Sequence, residues 1–177
     1  KVFSLHSGHQ AFTIHKRIYR QKRFSKEMDN FQRDINLSKH TLFIVDEASM
    51  ISGASVNGMG WGSVSLLDDL VEYVYSGEGC RLMLVGDAAQ LAPVGEQLSP
   101  AMSVEGLESF GLRVWAGELT QVVRQHDASG VLMNATALRQ AIMTDECTGL
   151  PGIQINGFAD VRRVRGDELI EMLEESY

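Results

Sequence analysis

The chain has 177 residues, 44% of them hydrophobic, and a formal net charge of -7, which is apolar mass for one full domain or for one domain and part of another. The acidic balance argues against a wholesale electrostatic nucleic-acid binder and confines any contact with DNA or RNA to a local patch. No run approaches the roughly 18 apolar residues of a spanning helix and the start does not resemble a signal peptide, so the expectation is a cytoplasmic protein without membrane contact.

From the start, Val2-Phe3-Ser4-Leu5 is a short apolar run, and Ala11 to His15 leads into a segment with Ile14, Ile18 and Tyr19 at helical spacing. Around it Lys16, Arg17, Arg20, Lys22, Arg23 and Lys26 interleave with Phe12, Tyr19, Phe24 and Phe31. Cations that follow a backbone and aromatic faces that stack bases are what a single-strand groove requires. The same pattern also fits a helix whose charged face is merely solvated. Glu27, Asp29 and Asp34 end the basic run.

Thr41-Leu42-Phe43-Ile44-Val45 is apolar without alternation and stops at Asp46-Glu47, which predicts a strand buried on both faces and ending in two carboxylates. The stretch from Ser52 to Gly62 is too rich in glycine for a helix and reads as a mobile loop. Ser63 to Tyr75 then puts Leu66, Leu67, Leu70, Val71 and Val74 on one helical face, with Asp68, Asp69 and Glu72 outside it. Ser76-Gly77-Glu78-Gly79 closes that helix and leads to a second strand, Arg81 to Val85, which ends at Gly86-Asp87. Strand, helix and strand in this order predict a parallel pair, with Asp87 as a third carboxylate on the rim where ligands gather in open parallel sheets.

Beyond Asp87, Pro93 removes a donor and ends regular structure after Ala92. Leu112-Arg113-Val114-Trp115 reads as a short strand, and Ser129 to Met143 as a helix through Leu132, Ala135, Leu138 and Ile142. Thr148 to Gly152 looks like a linker, Asp160 to Val164 a strand, and Asp167 to Tyr177 an acidic helix with Asp167 as N-cap. A domain boundary falls loosely between Arg124 and Pro151. Cys80 and Cys147 lack metal-ligand spacing and read as small apolar residues of a reducing compartment.

An apolar strand ending in Asp-Glu suits a Mg²⁺-nucleotide site, in which Asp46 holds the metal through water and Glu47 orients or deprotonates the attacking water. Carboxylates also bind the ions of phosphodiester hydrolysis, but no lysine follows Glu47 closely to support a nuclease. Ser49 has no Gly-x-Ser-x-Gly elbow and reads as a local hydrogen-bonding group.

Four stretches together resemble a known family. Asp46-Glu47-Ala48-Ser49-Met50 is similar to the Walker B motif of superfamily 1 DNA helicases of the RecD-like branch. Gly86-Asp87-Ala88-Ala89-Gln90-Leu91-Ala92-Pro93-Val94 resembles that branch's motif III, whose glutamine senses the terminal phosphate. Thr13-Ile14-His15 resembles motif Ia, a single-strand contact, and Leu119 to Gln125 resembles motif IV, whose arginine, here Arg124, reaches the γ-phosphate from the boundary between two motor domains. The resemblance implies an α/β, RecA-like P-loop NTPase fold with a parallel sheet flanked by helices, using ATP and Mg²⁺ and moving 5′ to 3′ on single-stranded DNA. It assigns catalysis to Glu47, Gln90 and Arg124, nucleotide binding to these with Asp46, the metal to Asp46, and DNA contact to Thr13, His15, Lys16, Arg17 and Arg20.

The departures are as specific. No Gly-x-x-x-x-Gly-Lys-Ser/Thr occurs in the sequence, and Ala92 stands where the family more often has proline. The chain is therefore expected to be a piece truncated at both ends: residues 1–126 part of motor domain 1, and residues 127–177 a linker with the start of motor domain 2. A fragment without the phosphate loop is expected to be inactive by itself. The alternative from another class is a non-catalytic nucleic-acid or protein-binding module with a degenerate RecA-like fold.

Overall fold

The structure, a computed structural model, describes residues 2–21, 31–54, 65–121, 129–144, 149 and 152–175. Contacts divide the chain into two units, Lys1–Ala116 and Gly117–Tyr177. In the first, α1 spans Val2–Ser7. Thr13 then caps α2, Ile14–Ile18, by accepting from Lys16 N at 3.3 Å. The helix ends one residue before the helical spacing does. Tyr19 is extended and opens β1, Tyr19–Gln21, which pairs antiparallel with β2, Phe31–Arg33. Lys22, Arg23, Phe24, Lys26, Glu27 and Asp29 lie outside the described residues.

The expected strand, helix and strand are present. β3, Leu42–Val45, passes through a 3-10 turn at Ala48–Met50; α3, Leu66–Tyr75, follows, and then β4, Arg81–Leu84. β3 and β4 are parallel, with Leu42 opposite Arg81 and Val45 opposite Leu84. Ser65 starts α3 with a capping box, its side chain accepting from Asp68 N while the Asp68 carboxylate accepts from Ser65 N. The helix buries Leu67, Leu70, Val71, Tyr73 and Val74 against Phe43 and Val45 of β3 and Leu82 and Leu84 of β4, with the Phe43 and Tyr73 rings edge-to-face at 6.0 Å. Each such fully buried side chain is worth roughly 1.5–3 kcal/mol, so this packing holds the strand ends in place.

Two expectations need correction here. β3 is covered on one face, not two: Phe43 and Val45 pack inward while Leu42 and Ile44 are 54% and 49% exposed, because α3 supplies apolar surface to one side of the pleat. Asp69 is not on the solvent side of α3 but 6% exposed. It accepts from the Tyr19 hydroxyl at 2.6 Å and from Arg33 Nη1 at 3.0 Å, and Arg33 also grips Glu72. The hairpin of β1 and β2 is thereby pinned to α3.

After β4 the chain forms a 3-10 turn at Pro100–Met102 and α4, Val104–Glu108, with Ser99 and Ser103 as their caps. Leu107, Phe110 and Leu112 pack on the same core. Leu112–Trp115 is not a strand. No neighbouring strand ladders with it among the described residues, and Trp115 faces solvent.

In the second unit α5 spans Gly130–Thr144. Asn134 is buried there, donating to Gly130 O and Gln154 O and accepting from Gln154 N, whereas Ala135 and Ile142 of the expected apolar stripe are exposed. The expected strand at 160–164 does not form. Instead Asp160 accepts from Gly130 N at 2.8 Å and from Ser129 Oγ at 2.6 Å, capping the start of α5. Those bonds, led by the one to Ser129, hold its carboxyl down at about 2. α6 spans Leu169–Glu175, and Asp167 bonds Arg165 at 2.8 Å rather than capping it. Among the described residues no helix is long and apolar enough to cross a membrane.

Candidate functional site

The apolar strands β3 and β4 deliver two short turns side by side. Val85 N donates to Val45 O at 2.8 Å and Ala48 N donates to Val85 O at 2.9 Å, so the pairing continues past the strand ends into the carboxylate turn. Within that turn Asp46 Oδ1 accepts from Glu47 N at 3.0 Å, and Glu47 has φ 55° and ψ 39°. A left-handed, non-glycine residue costs on the order of 1–3 kcal/mol and persists only when its surroundings enforce it. Here the buried Ala48 and Ser49 anchor the following 3-10 turn, and both carboxylates remain at the surface.

The second turn is held against the first by a missing side chain. A Cβ at Gly86 would lie 2.8 Å from Ser49 N, 2.8 Å from Met102 Sδ and 3.3 Å from Ala48 N. Only glycine lets the two backbones meet this closely. Asp87 then folds its own turn, with Oδ1 accepting from Ala89 N at 3.0 Å and its carbonyl accepting from Gln90 N at 3.1 Å. Gln90 is exposed at the end of that turn. Asp46, Glu47, Asp87 and Gln90 thus occupy adjoining turns beyond the carboxyl ends of a parallel pair, the usual position of a ligand crevice. Arg124 lies outside the described residues.

No group of three or more His, Cys, Asp or Glu side chains gathers as a metal cage among the described residues. This fits Mg²⁺, which is held by one or two carboxylates together with water and phosphate oxygens, better than it fits a metal needing an all-protein shell. Asp46 is the residue that would hold it, with Glu47 beside it in the same turn.

Ser49 departs from expectation. It is 3% exposed and its Oγ has no hydrogen-bond partner among the described residues. The neighbouring Ser99 hydroxyl, by contrast, donates to Ile51 O and, at 3.2 Å, to Ala48 O.

The basic stretch sits elsewhere, on α2 and β1. Thr13, His15, Lys16, Arg17 and Arg20 are all exposed. Thr13 spends its hydroxyl as an N-cap, and the His15 and Tyr19 rings lie 5.8 Å apart. Arg17 donates to Ser38 Oγ at 3.2 Å and stands 5.7 Å over the Phe43 ring, while Arg20 pairs with Asp34 at 3.6 Å. A surface pair of the latter kind contributes about 0–1 kcal/mol, so Arg20 is readily released. Burial, then the hydrogen bond to Asp69, raises the Tyr19 phenol well above its ordinary value. For Arg33 burial acts downward, but the bond to Glu72 and the charges of Glu72 and Asp69 outweigh it and hold the guanidinium above its ordinary value.

The roles of Asp69, Arg33, Ser99 and Glu96 were not read from the sequence. Asp69 had a signal, since Tyr73 stands one helical turn beyond it and both belong to a second buried stripe of α3. Ser99 had the local signal of a serine before Pro100, which it caps, whereas Arg33 and Glu96 meet partners far along the chain and had none.

No curated protein and no solved structure matches the chain. Residues 1–146 do match the family model described as AAA domain, which takes in both turns and every described residue of the basic stretch. A chain matched over this extent, with carboxylates and a glutamine at the ends of a parallel pair, belongs to the AAA domain family of P-loop NTPases.

Proposed function

We propose that the chain is a piece, inactive by itself, of a DNA helicase like those of the RecD-like branch, in which ATP hydrolysis with Mg²⁺ drives 5′ to 3′ movement on single-stranded DNA. The supporting observation is the close approach of Gly86 to Ala48 and Ser49, which sets the Asp87 to Gln90 turn beside the Asp46–Glu47 turn. In this reading Asp46 holds the metal through water, and Glu47 orients the attacking water and takes its proton. Gln90 contacts the terminal phosphate, and Arg124 brings a fixed positive charge to it. Positioning and charge stabilisation supply nearly all of phosphoryl-transfer catalysis, and bound Mg²⁺ contributes neutralisation of the developing charge. Thr13, His15, Lys16, Arg17 and Arg20 are the proposed strand contacts, with motor domain 1 over residues 1–126 and the start of motor domain 2 over residues 127–177.

The test is phosphate release with and without single-stranded DNA. The chain alone is expected to give none above background. With a Gly-x-x-x-x-Gly-Lys-Ser segment and its strand joined ahead of Lys1, DNA-stimulated hydrolysis is expected, and Glu47→Gln should lower it at least about a hundredfold, the low end for a general base. Undiminished hydrolysis in Glu47→Gln would refute the reading. DNA binding without any hydrolysis in the joined protein would favour the non-catalytic module.

A further inference from the structure

Glu96 lies beyond the motif that resembles motif III, yet it bonds to three consecutive residues of the segment that follows the Asp46–Glu47 turn. Its Oε1 accepts from Gly53 N at 3.0 Å, from Ala54 N at 3.2 Å and from Ser52 Oγ. Ser52 Oγ in turn accepts from Ala54 N at 3.0 Å. Successive backbone N–H groups turned onto one oxygen make an anion nest, and here the anion is the protein's own carboxylate. On its other side Glu96 N donates to Pro93 O at 3.0 Å, closing the turn Pro93–Glu96 that follows Gln90.

We propose that Glu96 is a positioning residue that latches the Gln90 loop to the segment following the Asp46–Glu47 turn. The loop is tied at Gly86 against Ala48 and Ser49, at Ser99 to Ile51 and Ala48, and between these two points at Glu96 to Ser52, Gly53 and Ala54. Gln90 stands between the first tie and Glu96, so its place relative to Glu47 depends on both. The meaning of this latch for catalysis rests on the nucleotide-site reading above, whereas the latch itself does not.

Amide hydrogen exchange on the nucleotide-free chain separates the two. In Glu96→Ala, exchange at Gly53 and Ala54 should rise at least about tenfold, since bonds to a charged acceptor are lost. Exchange at Gln90, whose N–H is bonded to Asp87 O and not to Glu96, should rise with it. Glu96→Gln keeps the reach and an acceptor oxygen and should stay within about threefold of the parent, while Glu96→Asp keeps the charge but withdraws it by one methylene and should behave like the alanine variant. A rise confined to Gly53 and Ala54 would reduce Glu96 to a local turn cap and overturn the proposal. An equal rise along Leu42–Val45 and Arg81–Leu84 would overturn it as well, by showing general loosening. Because no nucleotide is present, failure of the phosphate-release test leaves this result standing, and failure here leaves the ATP reading standing.

Discussion

Gly86→Ala is the substitution that most directly probes the junction of the two turns. Gly86 does not have a positive φ, so alanine meets no backbone penalty there and the whole cost is steric. Although the residue is exposed by area, the direction its Cβ would take is filled by Ser49 N and Met102 Sδ at 2.8 Å and Ala48 N at 3.3 Å. Met102 can swing away cheaply, but the two backbone nitrogens cannot. Overpacking of this kind costs about 1–3 kcal/mol, and stretching the 2.9 Å bond from Ala48 N to Val85 O adds roughly 0.5–1.5 kcal/mol. A total of about 1.5–4.5 kcal/mol, with a urea m-value of about 2 kcal/mol/M, lowers the unfolding midpoint by about 0.8–2.2 M. Gly95→Ala is the control, since Gly95 has φ 85° and open space around it, and should cost only the left-handed backbone term of about 1–2 kcal/mol. A Gly86→Ala midpoint shift no larger than that of Gly95→Ala would refute the rigid approach of the two turns, and with it the support for a shared site.

Three further outcomes follow from the geometry. The raised Tyr19 pKa means that its contribution is complete below the ordinary tyrosine value of about 10 and is lost as pH rises from there through the higher folded-state value; urea midpoints should begin to fall at about pH 10 and go on falling above it, and Tyr19→Phe should flatten that fall while costing about 1.5–3 kcal/mol at neutral pH through the lost bond to Asp69. Asp160, held at about 2, has the opposite sign: its capping of α5 is complete above the ordinary carboxylate range and fades as pH drops toward about 2. The protection of the Gly130 and Val131 amides, taken relative to the intrinsic exchange rate at each pH, should therefore fall in acid, and an unchanged acid response in Asp160→Asn would contradict the cap. Replacing Lys16, Arg17 and Arg20 together by Ala should weaken single-strand binding in fluorescence anisotropy and lower its salt slope by about 2, whereas no change would return the basic stretch to a solvated face.

The strand, helix and strand from Leu42 to Leu84 were legible because each rests on local pattern: unbroken apolar runs, a helical stripe, and glycines that close the helix. The adjacency of the two carboxylate-bearing turns followed from the same pattern, since consecutive parallel strands joined by one helix usually pair. What failed were inferences that needed a partner. Leu112–Trp115 has the composition of a strand but no strand beside it. Asp160 reads as the start of a strand until Ser129 and Gly130 arrive to use its carboxylate. Asp69 looks like a solvent-side acid until Tyr19 and Arg33 close over it.

By itself, then, the sequence determined the strand, helix and strand from Leu42 to Leu84, their order and parallel sense, and which residue types stand at the strand ends. Only the tertiary structure decided that Gly86 is glycine for space rather than for flexibility, that Glu96 spans from the Gln90 loop to Ser52 and Ala54, and that Arg17 is already drawn over Phe43. The reason is physical: propensity and periodicity act over a turn or two of chain, whereas steric approach and hydrogen-bond satisfaction are settled between atoms that only folding brings together.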